Sequence, residues 1–163
     1  LRNKIKRTIK DKYILIHLDE KWIDIKDINE NFYDNLNLFQ KKINKKVLLT
    51  SFNNKFDYFI NLKSKLKKKK NSNIILFENS SLDEMERMIY YSLFAISCHS
   101  GFLVQISGTN NSKIIDIINQ RDFIWYSCWV PKNTLHKFVY KSYDKEKVEL
   151  EKILFDFLKA IKN

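Results

Sequence analysis

The sequence predicts an α/β domain, an open parallel sheet of about five strands with flanking helices. Three observations carry that expectation. Short, near-continuous apolar runs recur along the chain, as strands covered on both faces require. Apolar residues at helical spacing fill the stretches between them. The only two glycines, Gly101 and Gly108, lie in one segment, where an apolar run breaks through a small-residue turn into a second apolar stretch.

In chain order, Tyr13–Leu18 reads as a first strand, and Phe32, Leu36, Phe39 and Ile43 then share one helix face. Val47–Ser51 is the second strand, followed by a helix with Phe56, Phe59, Ile60 and Leu66 on its inner face. Asn73–Phe77 is the third. Ser81 and Glu84 form a capping box that opens a helix carrying Leu82, Met85, Ile89 and Leu93 inward. Phe94–Cys98 is the fourth strand, and it ends in a His99-Ser100-Gly101 turn that enters a short helix stopped at Gly108. Lys113–Ile117 is the fifth. An aromatic loop follows over 123–131, and a last helix from about Asp144 to Ile161 shows an apolar stripe through Val148, Leu150, Ile153, Leu154, Phe157, Leu158 and Ile161. Right-handed crossovers then imply the order 3-2-1-4-5, with the first and fourth strands adjacent and residues 13–118 as the body of the sheet. Residues 1–11 form a basic lead-in.

Composition bounds the class. A chain of 163 residues, 44% hydrophobic and 14% aromatic, suits one domain with a real core. The net charge of +11 is carried almost wholly by lysine, arginine being confined to Arg2, Arg7, Arg87 and Arg121. With so little of the residue that forks onto phosphates and reads bases, nucleic acid is not the expected partner, and the Lys67–Lys70 run reads as a solvated connection. Two cysteines, Cys98 and Cys128, make no disulfide framework and point to a cytoplasmic setting. Residues 88–112 carry no Asp, Glu, Lys or Arg. A turn at their centre argues against a membrane span.

Ligands of open parallel sheets bind outside the carboxyl ends of the strands. Those ends read His17–Trp22, Thr50–Asn54, Glu78–Ser81, His99–Gly101 and Asn119–Arg121, a polar rim of mixed charge. The fourth strand is the sharpest signal, because a strand breaking into a helix aims backbone N–H groups and a helix dipole at one spot suited to a phosphate. No G-x-G-x-x-G, G-x-x-x-x-G-K-[ST] or G-x-S-x-G occurs, which disfavours dinucleotide oxidoreductases, P-loop NTPases and serine hydrolases. His17, His99 and His136 lack metal-ligand spacing; the adjacent carboxylates Asp19 and Glu20 could bind a divalent ion but, following a strand, read first as solvent-facing. Cys98 and His99 are strand neighbours facing opposite ways and make a poor nucleophile–base pair.

Three stretches together carry a resemblance. Asp19-Glu-Lys-Trp22 is similar to the Asp-Asp-Lys-His-Trp segment of the lipopolysaccharide heptosyltransferase family, Ser81–Tyr90 to its Ser-Leu-x-Glu-x-x-x-Leu-Ile helix, and Ile96–Gly108 to its Asp-[Ser/Thr]-Gly-x-x-His motif. The Trp125–Pro131 loop resembles the family's Trp-x-Pro loop. His99 stands where the family has Asp and Val104 where it has His, while Ser100 and Gly101 keep the phosphate-facing turn. The resemblance implies a Rossmann-like donor domain, one half of a GT-B glycosyltransferase, with the partner N-terminal domain supplying the acceptor site and the catalytic base, so no catalytic residue is assigned here. It implies a nucleoside-diphosphate sugar as donor substrate, no cofactor, no metal, and transfer to a glycan or lipid-linked, lipopolysaccharide-like acceptor. Lys21, His99, Ser100, Gly101, Phe102, Glu78 and Asn79 are the implied donor-binding residues. Peripheral contact with the inner membrane face is a further expectation. The alternatives are a non-catalytic nucleotide-binding module and a basic domain for anionic lipid or RNA.

Overall fold

In the computed structural model, residues 12–52, 54–69, 73–110, 112–132 and 135–162 are described. The basic lead-in 1–11, Asn53 and Lys70 lie outside them. The elements are β1 (Tyr13–His17), α1 (Ile28–Ile43), β2 (Lys46–Ser51), α2 (Asp57–Lys69), β3 (Ile74–Glu78), α3 (Leu82–Tyr91), β4 (Ser92–Ser97), α4 (Gly101–Asn110), β5 (Ile114–Asn119), α5 (Phe123–Ser127), β6 (His136–Tyr143), β7 (Glu146–Lys147) and α6 (Leu150–Lys162). Two turns of 3-10 helix, Glu20–Asp24 and Gln120–Asp122, follow β1 and β5.

Among the described residues one seven-stranded sheet runs in the order β3-β2-β1-β4-β5-β6-β7, all parallel except β7. The expected 3-2-1-4-5 order is therefore present, with β1 beside β4. The sheet is two strands wider than expected. β6 was missed because Lys137 and Lys141 interrupt its apolar pattern, yet Lys141 is buried with its ammonium paired. Residues 144–149 do not begin the last helix. Asp144 takes a left-handed backbone, φ 50°, and turns the chain from Tyr143 back to Glu146 as an antiparallel hairpin.

The sheet separates two apolar layers. On one face Ile14, Ile16, Val47, Leu49, Ile96 and Ile117 meet α1, α2 and α6 through Phe32, Leu36, Phe59, Ile153 and Phe157. On the other, Tyr13, Leu15, Leu48, Ala95 and Ile114 meet α3 and α4 through Met85, Met88, Ile89 and Leu103. Strand neighbours point to opposite faces, so both sides of each central strand are apolar. The capping box at α3 is made in full, Ser81 Oγ accepting from Glu84 N–H and Glu84 Oε2 from Ser81 N–H. Some inner faces are rotated from expectation. Phe56, Ile60 and Leu82 are exposed, and Tyr58, Leu62 and Met88 take the buried places. Phe56 and Leu82 sit at or before the first helical residue, where the chain has not yet turned onto the sheet. Gly108 does not stop its helix, which runs on to Asn110; a Cβ there would lie 2.7 Å from Pro131 Cγ. Glycine is needed so that the loop after α5 can press against α4.

Candidate functional site

The segment after β1 is fastened on every side. Trp22, fully buried, stacks on Phe32 with centroids 5.5 Å apart and donates from its indole N–H to the His17 carbonyl at 2.9 Å. Tyr58 donates its hydroxyl to the Asp19 carbonyl at 2.6 Å and accepts from Asn54 at 2.7 Å. The Asp19 carboxylate caps the 3-10 turn by accepting from the Lys21 N–H at 3.0 Å. Burial raises the Asp19 carboxyl to about 6 against that bond. From β6, Lys141 Nζ donates to the Lys21 carbonyl and to Asp24 Oδ2, both at 3.0 Å. The result is a rigid turn that delivers the exposed Lys21 side chain across the ends of β1 and β4, where its Nζ donates to the His99 carbonyl at 2.9 Å. An ammonium has three donors, so this bond leaves two.

The turn after β4 uses its residues differently from the sequence expectation. The left-handed residue is His99, φ 50°, and neither glycine has positive φ. Such a backbone costs a non-glycine residue on the order of 1 kcal/mol and persists where surroundings hold it. Three contacts hold His99. Its carbonyl takes the Lys21 ammonium, its Nδ1 lies 2.5 Å from Asp116 Oδ2, and its ring stacks on Tyr126 with centroids 3.7 Å apart. The Ser100 N–H is already satisfied by Ser97 Oγ at 3.1 Å. The first helical bond of α4 runs from Val104 N–H to the Ser100 carbonyl. The N–H groups of Gly101, Phe102 and Leu103 thus form the open first turn. A Cβ at exposed Gly101 would meet nothing within 4 Å, so that side of the turn is clear for close approach. Phe102 instead packs partly into the layer beneath α4.

Lys21 and His99 border a cleft of about 200 Å³ at the carboxyl ends of the strands, lined also by Asp24, Asn119, Tyr126 and Lys141. Lys21 meets the β4–α4 turn at His99, and Ser100 and Gly101 follow in the chain, outside the residues that line the cleft. Glu78 and Asn79 do not join them: β3 is an edge strand two places from β1, Glu78 pairs with Lys63 at 2.8 Å, and Asn79 lies beside it. A larger groove of about 290 Å³ between α1 and α6, walled by Leu38, Phe39, Leu154 and Phe155, lies away from these strand ends. Cys98 is buried in the core, and burial pushes its thiol well up, which removes it as a nucleophile. Among the described residues no three His, Cys, Asp or Glu side chains are grouped to hold a metal ion, and no helix is long and apolar enough to cross a membrane.

Asp116 and Lys141 are the site residues that sequence reasoning missed. Asp116 is the only charge in Ile114–Ile118, and a carboxylate inside an otherwise apolar central strand must be partnered. That signal was available. Its partners were not, because His99 comes from the turn after β4 and His136 from β6, on either side of β5.

No protein-family model matches the sequence, and a search of curated proteins finds no match. Solved structures do match in fold. S. aureus MnaA in a co-structure with UDP superposes with a TM-score of 0.64 at 11% identity, covering 99% of this chain and 39% of its own. Methanocaldococcus jannaschii UDP-GlcNAc 2-epimerase matches in its complex with UDP-GlcNAc and UDP with a TM-score of 0.60, 12% identity, and coverages of 99% and 41%. A further structure of that M. jannaschii enzyme gives 0.62 and 13%, with 99% and 42% covered. The chain thus spans about two fifths of the length of these neighbours. At such identities the likeness establishes the fold, a Rossmann-like domain of GT-B type. The narrower resemblance to heptosyltransferases gains no support from these neighbours.

Proposed function

We propose that this chain is the nucleotide-sugar-binding domain of an enzyme of GT-B-like fold, and that the cleft between Lys21 and the β4–α4 turn takes the diphosphate of a nucleoside-diphosphate sugar. One observation carries the reading. Two segments distant in sequence bring a cation and a helix N-terminus to the same stretch of the sheet's carboxyl edge, the Lys21 ammonium resting 2.9 Å from the carbonyl of His99, two residues before α4 begins. A diphosphate is the ligand such a point suits, because its oxygens accept from backbone N–H groups and its charge meets both the ammonium and the dipole. The fold neighbours solved with UDP and UDP-GlcNAc support the same class of ligand.

For the reaction we take glycosyl transfer to a glycan or lipid-linked acceptor, without a metal, as the first reading. Lys21 and the first turn of α4 would supply electrostatic stabilisation to the departing diphosphate. A second domain of the enzyme would carry the acceptor site and the catalytic base. Epimerisation of a nucleotide sugar is the second reading, favoured by the names of two fold neighbours. Both need the diphosphate held in the same place. Calorimetric titration of the full chain with UDP, UDP-GlcNAc, a short RNA and anionic vesicles tests the proposal. Saturable binding of the first two supports it; binding of RNA or vesicles alone would replace it with a basic interaction domain. In the full-length enzyme, the product formed from UDP-GlcNAc, with and without an acceptor glycan, separates transfer from epimerisation.

A further inference from the structure

Behind the cleft lies a buried group that the proposed function does not use. Asp116 in β5 is fully buried, and its contacts are two imidazoles: His99 Nδ1 from the β4–α4 turn at 2.5 Å and His136 Nε2 from β6 at 3.4 Å, both to Oδ2. Asp116 Oδ1 and both ring nitrogens of His136 are buried without a hydrogen-bond partner. A buried carboxylate needs a hydrogen-bond donor, and the His99 ring supplies one. His136 is itself buried, its side chain 3% exposed, whereas the His99 side chain is 18% exposed and lines the cleft. Of the two rings, His99 is therefore the one open to the cleft.

The geometry also fixes the proton inventory of that ring. An ionised carboxylate only accepts, so Nδ1 donates to Asp116 and Nε2 is left for the cleft. In the neutral ring Nε2 is then a lone pair, which opposes phosphate oxygens; in the imidazolium it is an N–H that donates to them. We propose that His99 engages the ligand's diphosphate as an imidazolium, with Asp116 as the positioning residue that fixes its tautomer, so that a nucleotide sugar binds together with one proton. This rests on the diphosphate reading of the cleft. Burial alone pushes the Asp116 carboxyl up, but His136 and His99 hold it below the usual carboxylate range, so it stays ionised.

The groups facing His99 come from every neighbouring element. Lys21 and Asp24 come from the turn after β1, Cys98 from the end of β4, Asp122 from the turn after β5, Tyr126 from α5, and His136 and Lys141 from β6. Asp24 pairs with Lys141 and Asp122 accepts from Asn119, which leaves Lys21 and His99 as the cationic groups directed at the ligand. His99 stands where the resembled family has a carboxylate.

The test uses UDP-GlcNAc, whose diphosphate is fully ionised near neutral pH and does not titrate there, so any proton taken up belongs to the protein. Calorimetry on the full chain between pH 6 and 8.5, in buffers of different ionisation enthalpy, reads protons bound per ligand. The wild type is expected to approach one at the alkaline end, with affinity falling up to tenfold per pH unit. His99→Gln should bind more weakly with no uptake, and Asp116→Asn should reduce uptake. Lys21→Ala should weaken binding yet keep the uptake, and His136→Gln should leave it unchanged. If Asp116→Asn fails to fold, His99→Gln and His136→Gln decide alone. Tight binding without uptake, or uptake that persists in His99→Gln or vanishes in His136→Gln, overturns the proposal and leaves the diphosphate site standing. Absence of UDP and UDP-GlcNAc binding at every pH overturns both.

Discussion

Alanine at Gly108 pits two well-measured effects against each other. The residue lies inside α4, where replacing glycine by alanine ordinarily stabilises by about 0.5–1 kcal/mol because the unfolded chain loses freedom. Its methyl group, however, would sit 2.7 Å from Pro131 Cγ and 2.8 Å from Pro131 Cβ. Ordinary carbon contacts begin near ~3.5 Å, so the proline ring must retreat by roughly 0.7 Å or more. Pro131 has no flexible side chain to swing aside, and the whole 128–132 loop has to move with it. Overpacking of this kind costs about 1–3 kcal/mol, which exceeds the propensity gain and leaves Gly108→Ala about 0.5–2 kcal/mol less stable. Urea denaturation followed by tryptophan emission reads both stability and loop position, since Trp129 lies in that loop, Trp125 just before it, and Trp22 is buried elsewhere. The sign should invert in a Pro131→Gly background, where both clashing atoms are gone and the added methyl stabilises by about 0.5–1 kcal/mol. Pro131→Ala would not serve, because it keeps the Cβ. A stabilised Gly108→Ala single variant with unchanged emission would refute the close contact between α4 and the loop.

Lys21→Ala should weaken UDP binding by about tenfold to a hundredfold, the loss of one charge-assisted contact of about 1.5–3 kcal/mol, and Gly101→Leu should block it while leaving the fold intact, because a side chain there meets open space. The Lys67→Ala and Lys68→Ala variants should leave the affinity as it is; unchanged affinity in Lys21→Ala and Gly101→Leu would place the ligand elsewhere. Phe157→Ala, at a fully buried ring lying edge-on to Phe39 at 6.1 Å, should cost about 3–5 kcal/mol in denaturant titration. Burial lowers His17 from 6.5 to about 4, so the unfolded chain binds the extra proton in that window. The stability of the native state is full above about pH 6.5 and falls toward pH 4, by about 3 kcal/mol over the window. Relative to wild type, His17→Gln should therefore gain about that much between pH 7 and pH 4 in urea melts. The comparison isolates His17 from Asp19, whose raised carboxyl acts in the opposite sense between about 6 and 3.8. A pH-independent difference between the two proteins would show that His17 is not buried as a neutral ring.

The central strands were legible because burial on both faces writes an unbroken apolar run into the chain, and Tyr13–His17, Lys46–Ser51 and Ile114–Asn119 each differ from expectation by at most two residues at an end. β6 was illegible for the opposite reason. Its buried Lys141 reads as a solvated charge unless Asp24 and the Lys21 carbonyl, both more than a hundred residues away, are known to receive it. The convergence of Lys21 with the β4–α4 turn followed from strand order alone, since adjacent parallel strands bring their loops together. The identity of the left-handed residue did not. A histidine is unfavourable there by intrinsic preference, and only the through-space Asp116, Lys21 and Tyr126 contacts explain it. Glu78 and Asn79 lie apart from Lys21 and His99 because a rim position says nothing of distance along the rim.

The placement of β1 in mid-sheet sets a timetable for biosynthesis. β1 is the first described strand to leave the ribosome, and β2 and β3 can join one side of it soon after, with α1 and α2 in between. Its other side pairs Ile16 with Ile96 and stays bare until β4 has been made. At about 5–20 residues per second that interval is on the order of ten seconds. The apolar stripe of α1 waits longer still, because Phe39 finds Phe157 only when α6 emerges. A nascent chain of this sequence thus presents an unpaired apolar strand edge and an uncovered helix face together, the two surfaces that holding chaperones bind and that polysome-bound neighbours would otherwise share.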